Sequence, residues 1–186
     1  MHKEPSIKKV SSREVYRNPW TRVREDVIVR SNGELGVYGV IEKDPAGIII
    51  PLEQTPVGDF LYLVEQYRYT VDGWHKEFPQ GGWETAEIVP EELARGELKE
   101  ETGLTAASML QLGAVQIAYG VMAQKQYIYL ATGLAHGDTE RDVEEHDLIV
   151  HRVPVAEFER MLLAGEIVDN CTIAAWGLYK LWREKQ

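Results

Sequence analysis

Cysteine is almost missing: Cys171 is the single one in 186 residues. No intramolecular disulfide and no cysteine-rich zinc site can form, so the fold must rest on packing and hydrogen bonds. A chain of this length can bury a sizeable core without such staples. Long hydrophobic runs are missing as well. No apolar stretch approaches the roughly 20 residues that a membrane-spanning helix requires. Met1 to Val10 is polar and basic with no apolar centre, so no secretory signal is expected. Positive charge is scarce: 20 Lys and Arg stand against 30 Asp and Glu, for a formal net charge of −10. That balance argues against broad binding to a nucleic-acid backbone, which calls for a basic surface. Internal repeats, low-complexity tracts and long linkers are also lacking. These absences lead to the expectation of a soluble cytoplasmic protein that works without nucleic acid or membrane. A small anionic substrate stays compatible with the acidity, because a divalent cation can bridge carboxylates to phosphate.

What is present reads as strands interspersed with a few helices. A short strand is expected near Val10 to Tyr16. Thr21 to Arg30, the turn signal Ser31-Asn32-Gly33 and Gly36 to Lys43 form a hairpin pattern. Gly47 to Leu52 is a run of aliphatic residues suited to a buried strand, and Phe60 to Gln66 follows a Pro- and Gly-containing loop. Val71 to Trp83 is too irregular for a helix. Pro90 suits the first turn of a helix, Glu91 and Glu92 suit its positive end, and Gly103 supplies a left-handed stop, so a helix is expected from Pro90 to Thr102. Strands near Leu110 to Ile117 and Gln126 to Ala131 precede an acidic loop, Gly137 to Asp147. A strand at Leu148 to Val153 and helices near Val155 to Ala164 and Asp169 to Glu184 complete the chain. This order implies an α+β architecture or an α/β/α sandwich around a mixed sheet. Residues 1–43 are expected to form an N-terminal antiparallel β-hairpin extension, and residues 44–186 the main domain.

On the expected helix Glu97 lies three residues before Glu100 and four before Glu101, so all three project from one face. Like charges so placed repel, and a hard cation with oxygen ligands would relieve the repulsion. Spacing alone is a weak signal and is more simply served by a solvated acidic face, with Arg95 and Lys99 offsetting its charge.

The surrounding segment resolves more. Gly82 to Leu104 resembles the Nudix box, G-x5-E-x7-R-E-U-x-E-E-x-G-U, in which U is a bulky aliphatic residue. Gly82, Glu97, Leu98, Glu100, Glu101, Gly103 and Leu104 match at full spacing. Two positions depart: the first Glu of the pattern falls on Ile88 and its Arg on Gly96. Glu84 and Glu87 lie near the missing first Glu. In the family that Arg orients a metal-binding Glu, and Gly96 inside a helix costs roughly 1 kcal/mol relative to Ala. The segment Ala94-Arg95-Gly96-Glu97-Leu98 resembles a variant box of ADP-ribose pyrophosphatase-like members. Asn18-Pro19-Trp20, Glu65-Gln66-Tyr67-Arg68 and Glu77-Phe78-Pro79 resemble segments of ADP-ribose and nucleotide-sugar pyrophosphatases.

The resemblance implies a Mg²⁺-dependent hydrolase, with Mn²⁺ as an alternative ion, acting on the diphosphate of a nucleotide sugar as a homodimer. Residues 1 to about 43 would help to build the partner's substrate site. Glu97, Glu100 and Glu101 are implied as metal ligands, with the backbone carbonyl at Gly81 as a further one. Glu97 and Glu101 are also implied in catalysis. Glu145 and Asp147, in the late acidic loop, are the implied candidates to accept a proton from the attacking water. Each residue outside the box has two readings. Arg68 clamps a phosphate with its planar fork or forms a surface ion pair. Trp20 stacks on a nucleobase or packs at a dimer interface. Glu77 holds metal or substrate, or supports residues that do. Trp74 and Trp83 belong to a lid or to the core. His146 reads as exposed and Cys171 as packed in the interior. The box is shared across the family, so hydrolysis of a nucleoside triphosphate or dinucleoside polyphosphate is one alternative. A binding domain without turnover, motivated by Ile88 and Gly96, is another.

Overall fold

The computed structural model describes residues 3–82, 89–137 and 147–186. Contacts divide the chain into two units, 1–44 with 116–124 and 45–115 with 125–186.

In the first unit, Gly33 adopts φ +87°, and Asn32 Oδ1 accepts from the Glu34 amide at 3.1 Å. That turn reverses the chain between β2 (Arg22–Arg30) and β3 (Leu35–Glu42), which pair antiparallel with Val29 opposite Leu35. A longer strand than expected, β1 (Ile7–Arg17), adds to the outer side of β2. Farther along the chain, β9 (Met122–Ala123) pairs parallel with β3, giving a four-stranded sheet in the order β1-β2-β3-β9.

The second unit is organised by β4 (Ala46–Thr55), whose residues Ala46 to Leu52 are all buried. Burial of successive residues requires cover on both faces. The sheet around it contains β5 (Gly58–Arg68), β8 (Leu104–Gln116), β10 (Lys125–His136) and β11 (Ile149–Pro154) in the order β11-β5-β4-β10-β8. β10 runs parallel to β4, while β5 is antiparallel to both β4 and β11, so the sheet is mixed. One face carries helix α1 (Pro90–Thr102): Ala94 and Leu98 pack with Ile49, Tyr62, Leu104, Tyr129 and Ala131. Alternation turns Ile48 and Ile50 to the opposite face, where α3 (Asn170–Arg183) packs on β4 and α2 (Val155–Leu163) on β5. A run of rings joins that layer: Phe78 to Phe158 at 5.1 Å, Phe158 to Trp176 at 5.0 Å and Trp176 to Tyr179 at 4.8 Å between centroids. Edge-to-face and offset ring pairs of this kind are favourable beyond their buried area. The architecture is the expected α+β sandwich with an N-terminal hairpin. No helix among the described residues is long and apolar enough to cross a membrane.

The expected irregular stretch after Val71 is more ordered than its composition implies. Following a 3₁₀ turn at Tyr69–Val71, β6 (Gly73–Glu77) folds back on β5, and the two-residue β7 (Gln80–Gly81) pairs with β4. Asp72, at φ +50°, makes the reversal. Neither strand is long enough to display an alternating pattern.

Candidate functional site

Helix α1 begins and ends where proline and glycine punctuate the chain, with Gly103 at φ +70° donating its N–H to Lys99 O at 2.8 Å. The fixed frame buries two carboxylates: Glu97 is 5% and Glu101 1% exposed. Ionised side chains are almost never so buried without dedicated partners. Glu101 Oε2 accepts from the Gln80 backbone N–H at 2.9 Å. The Glu97 carboxylate lies directly over Gly81, so close that a Cβ on Gly81 would collide with it. Glu100, on the same helix face, is half-buried. Among the described residues no group of three or more His, Cys, Asp or Glu side chains is gathered as a metal cage. What the described chain brings together is a pair of buried glutamates and the backbone of β7. Carboxylate and peptide oxygens are hard donors, and this set suits Mg²⁺ or Mn²⁺ rather than a thiophilic metal.

The bend between β6 and β7 is held at every residue. The Phe78 N–H donates to Thr172 Oγ1 at 2.9 Å, Pro79 O accepts from the Ile49 N–H at 2.9 Å, and Gln80 binds Glu101 as described. The Gln80 side chain reaches the other layer. Its Nε2 donates to Asp169 Oδ2 at 3.1 Å, and its Oε1 accepts from Gln126 Nε2 at 2.7 Å. Asp169 also caps α3 by accepting from the Thr172 N–H at 2.7 Å. Gln80, Gln126, Asp169 and Thr172 were not among the residues singled out from sequence. Only Asp169 carried a signal, that of a capping residue at the start of a helix.

Beside this bend Glu77 is 3% exposed and forms an ion pair with Arg68, backed by a contact from Arg68 Nε at 3.3 Å and from Gln66 Nε2 at 3.2 Å. Burial pushes the Glu77 carboxyl above its ordinary range, and the guanidinium only partly opposes it; nearby Asp169 adds to the rise. Arg68 thus makes an ion pair, to a buried partner rather than a surface one, and its side chain stays 39% exposed. In the first unit Trp20 is 57% exposed on a turn fastened by Asn18, whose Oδ1 accepts from the Trp20 and Thr21 N–H groups at 3.0 and 2.7 Å. Trp20 lines an open cleft of about 370 Å³ with Arg17, Arg22, Glu42 and Lys43.

Asp147 is half-buried at the start of the segment leading into β11. Glu145, with Glu144 and His146, lies outside the described residues, as do Trp83, Glu84, Glu87 and Ile88. Trp74 is half exposed and meets Tyr67 edge-on at 6.1 Å. Cys171 is buried, and burial, aided by Asp169 and Glu77, pushes its thiol up to about 12, so it is no nucleophile.

The NUDIX domain matches residues 43–174, and the nucleoside diphosphate sugar hydrolase N-terminal domain matches residues 7–41. The ADP-ribose pyrophosphatase of Mycobacterium tuberculosis (strain ATCC 25618 / H37Rv) is 31% identical over 172 residues, covering 92% of this chain and 82% of that protein. The ADP-ribose pyrophosphatase of Bacillus subtilis (strain 168) is 28% identical over 136 residues, covering 73% and 72%. The crystal structure of an ADP compounds hydrolase superposes with a TM-score of 0.84 at 24% identity, over 100% of this chain and 98% of that one, and shares the fold. The chain belongs to the Nudix hydrolase family, and the match of its first strands assigns it to the nucleoside diphosphate sugar hydrolases within it.

Proposed function

We propose that the chain hydrolyses the diphosphate bridge of ADP-ribose or a closely related nucleotide sugar, releasing a nucleoside monophosphate and a sugar phosphate. The observation that carries this reading is the burial of Glu97 and Glu101 against β7, inside the family's own helix. The relatives that act on ADP-ribose, by name, support the substrate.

Nudix hydrolases generally need a divalent metal, and Mg²⁺ is our choice, with Mn²⁺ a working substitute. Glu97, Glu100, Glu101 and the Gly81 carbonyl would hold it. Bound there, the cation supplies a lowered water pKa and neutralises phosphate charge. The rest falls to side chains. Arg68, anchored by Glu77, turns its exposed N–H edge to a phosphate oxygen. Trp20 presents a flat face for the base. Glu145 and Asp147 accept the proton of the attacking water. Residues 1–43 serve as the dimerisation element. Val27 and Val29 share one sheet face with Leu35 and Val37, and the latter two are 68% and 62% exposed in the single chain. The absence of disulfides suits a cytoplasmic setting.

The test is turnover of a panel of ADP-ribose, other nucleotide sugars and nucleoside triphosphates with Mg²⁺, with products identified, in the parent and in Glu101→Gln. Release of a sugar phosphate by the parent, with a loss of at least about 100-fold in the variant, is the expected result. Pyrophosphate as the main product, or equal rates in the two proteins, would overturn it.

A further inference from the structure

We propose that Asp169, acting through Gln80, is a positioning residue for the carboxylates of α1. The proposal rests on the metal-site reading above and adds to it a link from the opposite layer of the sandwich.

β7 is only two residues long, and its register with β4 consists of Ile48 opposite Gln80 and Gly47 opposite Gly81. So short a strand is weakly constrained by its own ladder. Yet its first peptide supplies the N–H to Glu101 and its second residue lies under Glu97. The orientation of both carboxylates therefore depends on what else holds Gln80. Its backbone faces the α1 layer while its side chain reaches the α3 layer, so a single residue joins the two through the sheet. On the far side Asp169 is not a loose partner. Its carboxylate is fixed by capping α3, and the same helix turn grips Phe78 through Thr172, which is wholly buried.

The polarity of this connection follows from Asp169. A carboxylate only accepts, so the amide of Gln80 must turn Nε2 toward it. Gln80 Oε1 then faces Gln126 and takes a hydrogen bond from its Nε2. Gln126 Oε1 is left buried with no hydrogen-bond partner among the described residues. A buried acceptor without a donor opposes stability, and apolar side chains at 80 and 126 would avoid it. The connection is thus poorly explained as a stabilising device and well explained as a brace for the peptide that receives Glu101. Partners standing behind a metal ligand commonly set its orientation in this manner.

Three variants of the full chain separate positioning from folding. Gln80→Met removes the amide but keeps the backbone N–H to Glu101 and leaves the α3 cap intact. Asp169→Ser keeps a capping oxygen but is too short to reach Gln80. Asp169→Asn retains an acceptor for both, since Asn caps helices as well as Asp. Mn²⁺ binding is read from the free-ion electron paramagnetic resonance signal, alongside kcat, KM and Tm. Gln80→Met and Asp169→Ser should each weaken Mn²⁺ binding and lower kcat about tenfold or more, with KM little changed. Asp169→Asn should restore parent behaviour, and the double variant Gln80→Met/Asp169→Ser should be no worse than either single one, because the two act in series. Should Asp169→Ser fail to fold, Gln80→Met carries the test. Glu101→Gln is the control. If it binds Mn²⁺ weakly while Gln80→Met binds like the parent, the positioning role is overturned and the metal site stands. If Glu101→Gln itself binds Mn²⁺ like the parent, the metal-site reading falls and this proposal with it.

Discussion

Gly81 and Glu97 stand in contact so close that the glycine cannot acquire a side chain without moving the carboxylate. An ideal Cβ at position 81 would collide with the carboxyl carbon and both oxygens. Gly81 is not among the residues at positive φ, so the requirement is one of space rather than backbone conformation. Gly81→Ala should therefore fold but lose about 10- to 100-fold in Mn²⁺ affinity and in kcat, as expected when a metal ligand is displaced. Circular dichroism and a Mn²⁺ titration check the two halves. Unchanged affinity would show that Glu97 holds no metal.

The ion pair of Arg68 with Glu77 joins a half-exposed cation to a buried anion. Removing the cation strands the carboxylate. Arg68→Ala should cost about 1–3 kcal/mol by urea denaturation, less than a fully buried pair because water reaches the guanidinium side. Arg68→Lys should recover most of the stability but not the activity, since an ammonium lacks the planar fork. Full recovery of kcat/KM in the lysine variant would remove Arg68 from phosphate binding.

Glu77 responds to pH in the opposite sense to an acid such as Glu53. Its folded-state carboxyl lies above the ordinary 4.5, chiefly through burial. The folded protein therefore takes up that proton more readily than the unfolded chain, and Glu77 adds relative stability as pH falls from above its raised value to about 4.5. Glu53, held low by Arg152, does the reverse and loses its contribution on acidification. Glu77→Gln should thus raise Tm most, or lower it least, at neutral pH, and this difference should move steadily in the parent's favour as pH drops toward 4.5. A difference in Tm independent of pH would contradict the raised carboxyl.

Trp20 tests the base-binding role. It is largely exposed and its turn is fastened by Asn18 rather than by its ring. Trp20→Ala should leave Tm unchanged within a degree or two, because exposed positions of this kind shift stability little. Loss of a stacking contact of about 1–3 kcal/mol should raise KM for ADP-ribose roughly 5- to 150-fold with kcat intact. A variant with parent KM would leave the tryptophan to packing alone.

Much of the architecture was legible because its signals are local. Pro90 and Gly103 bracket α1 where expected, and Asn32-Gly33 turns the hairpin. The burial of Glu97 and Glu101 was not legible from their spacing, which a solvated acidic face serves as well; it depends on the approach of β7, which only the fold reveals. β6 and β7 were not legible. They are short, and their existence depends on pairing with β5 and β4 rather than on their own residue pattern. The Asp169–Gln80–Gln126 connection was hidden for the same reason: it spans 89 positions between Gln80 and Asp169, and only the tertiary fold reveals it. The pairing of Arg68 with Glu77 was not legible either, because it joins two strands brought together only by the β5–β6 ladder.

The parallel pairing of β4 with β10 has a kinetic consequence. Ala46 lies opposite Gln126, so this ladder closes a loop that contains α1, β7 and most of the sheet. Antiparallel β4 and β5 meet across a tight turn and can zip early, whereas closing so long a crossover is slow. Gln80 and Glu101 are 21 positions apart and both lie inside that loop, so their contact does not itself require the crossover to close. The way a bound cation divides its effect between the folding and unfolding rates would read out which of the two forms first.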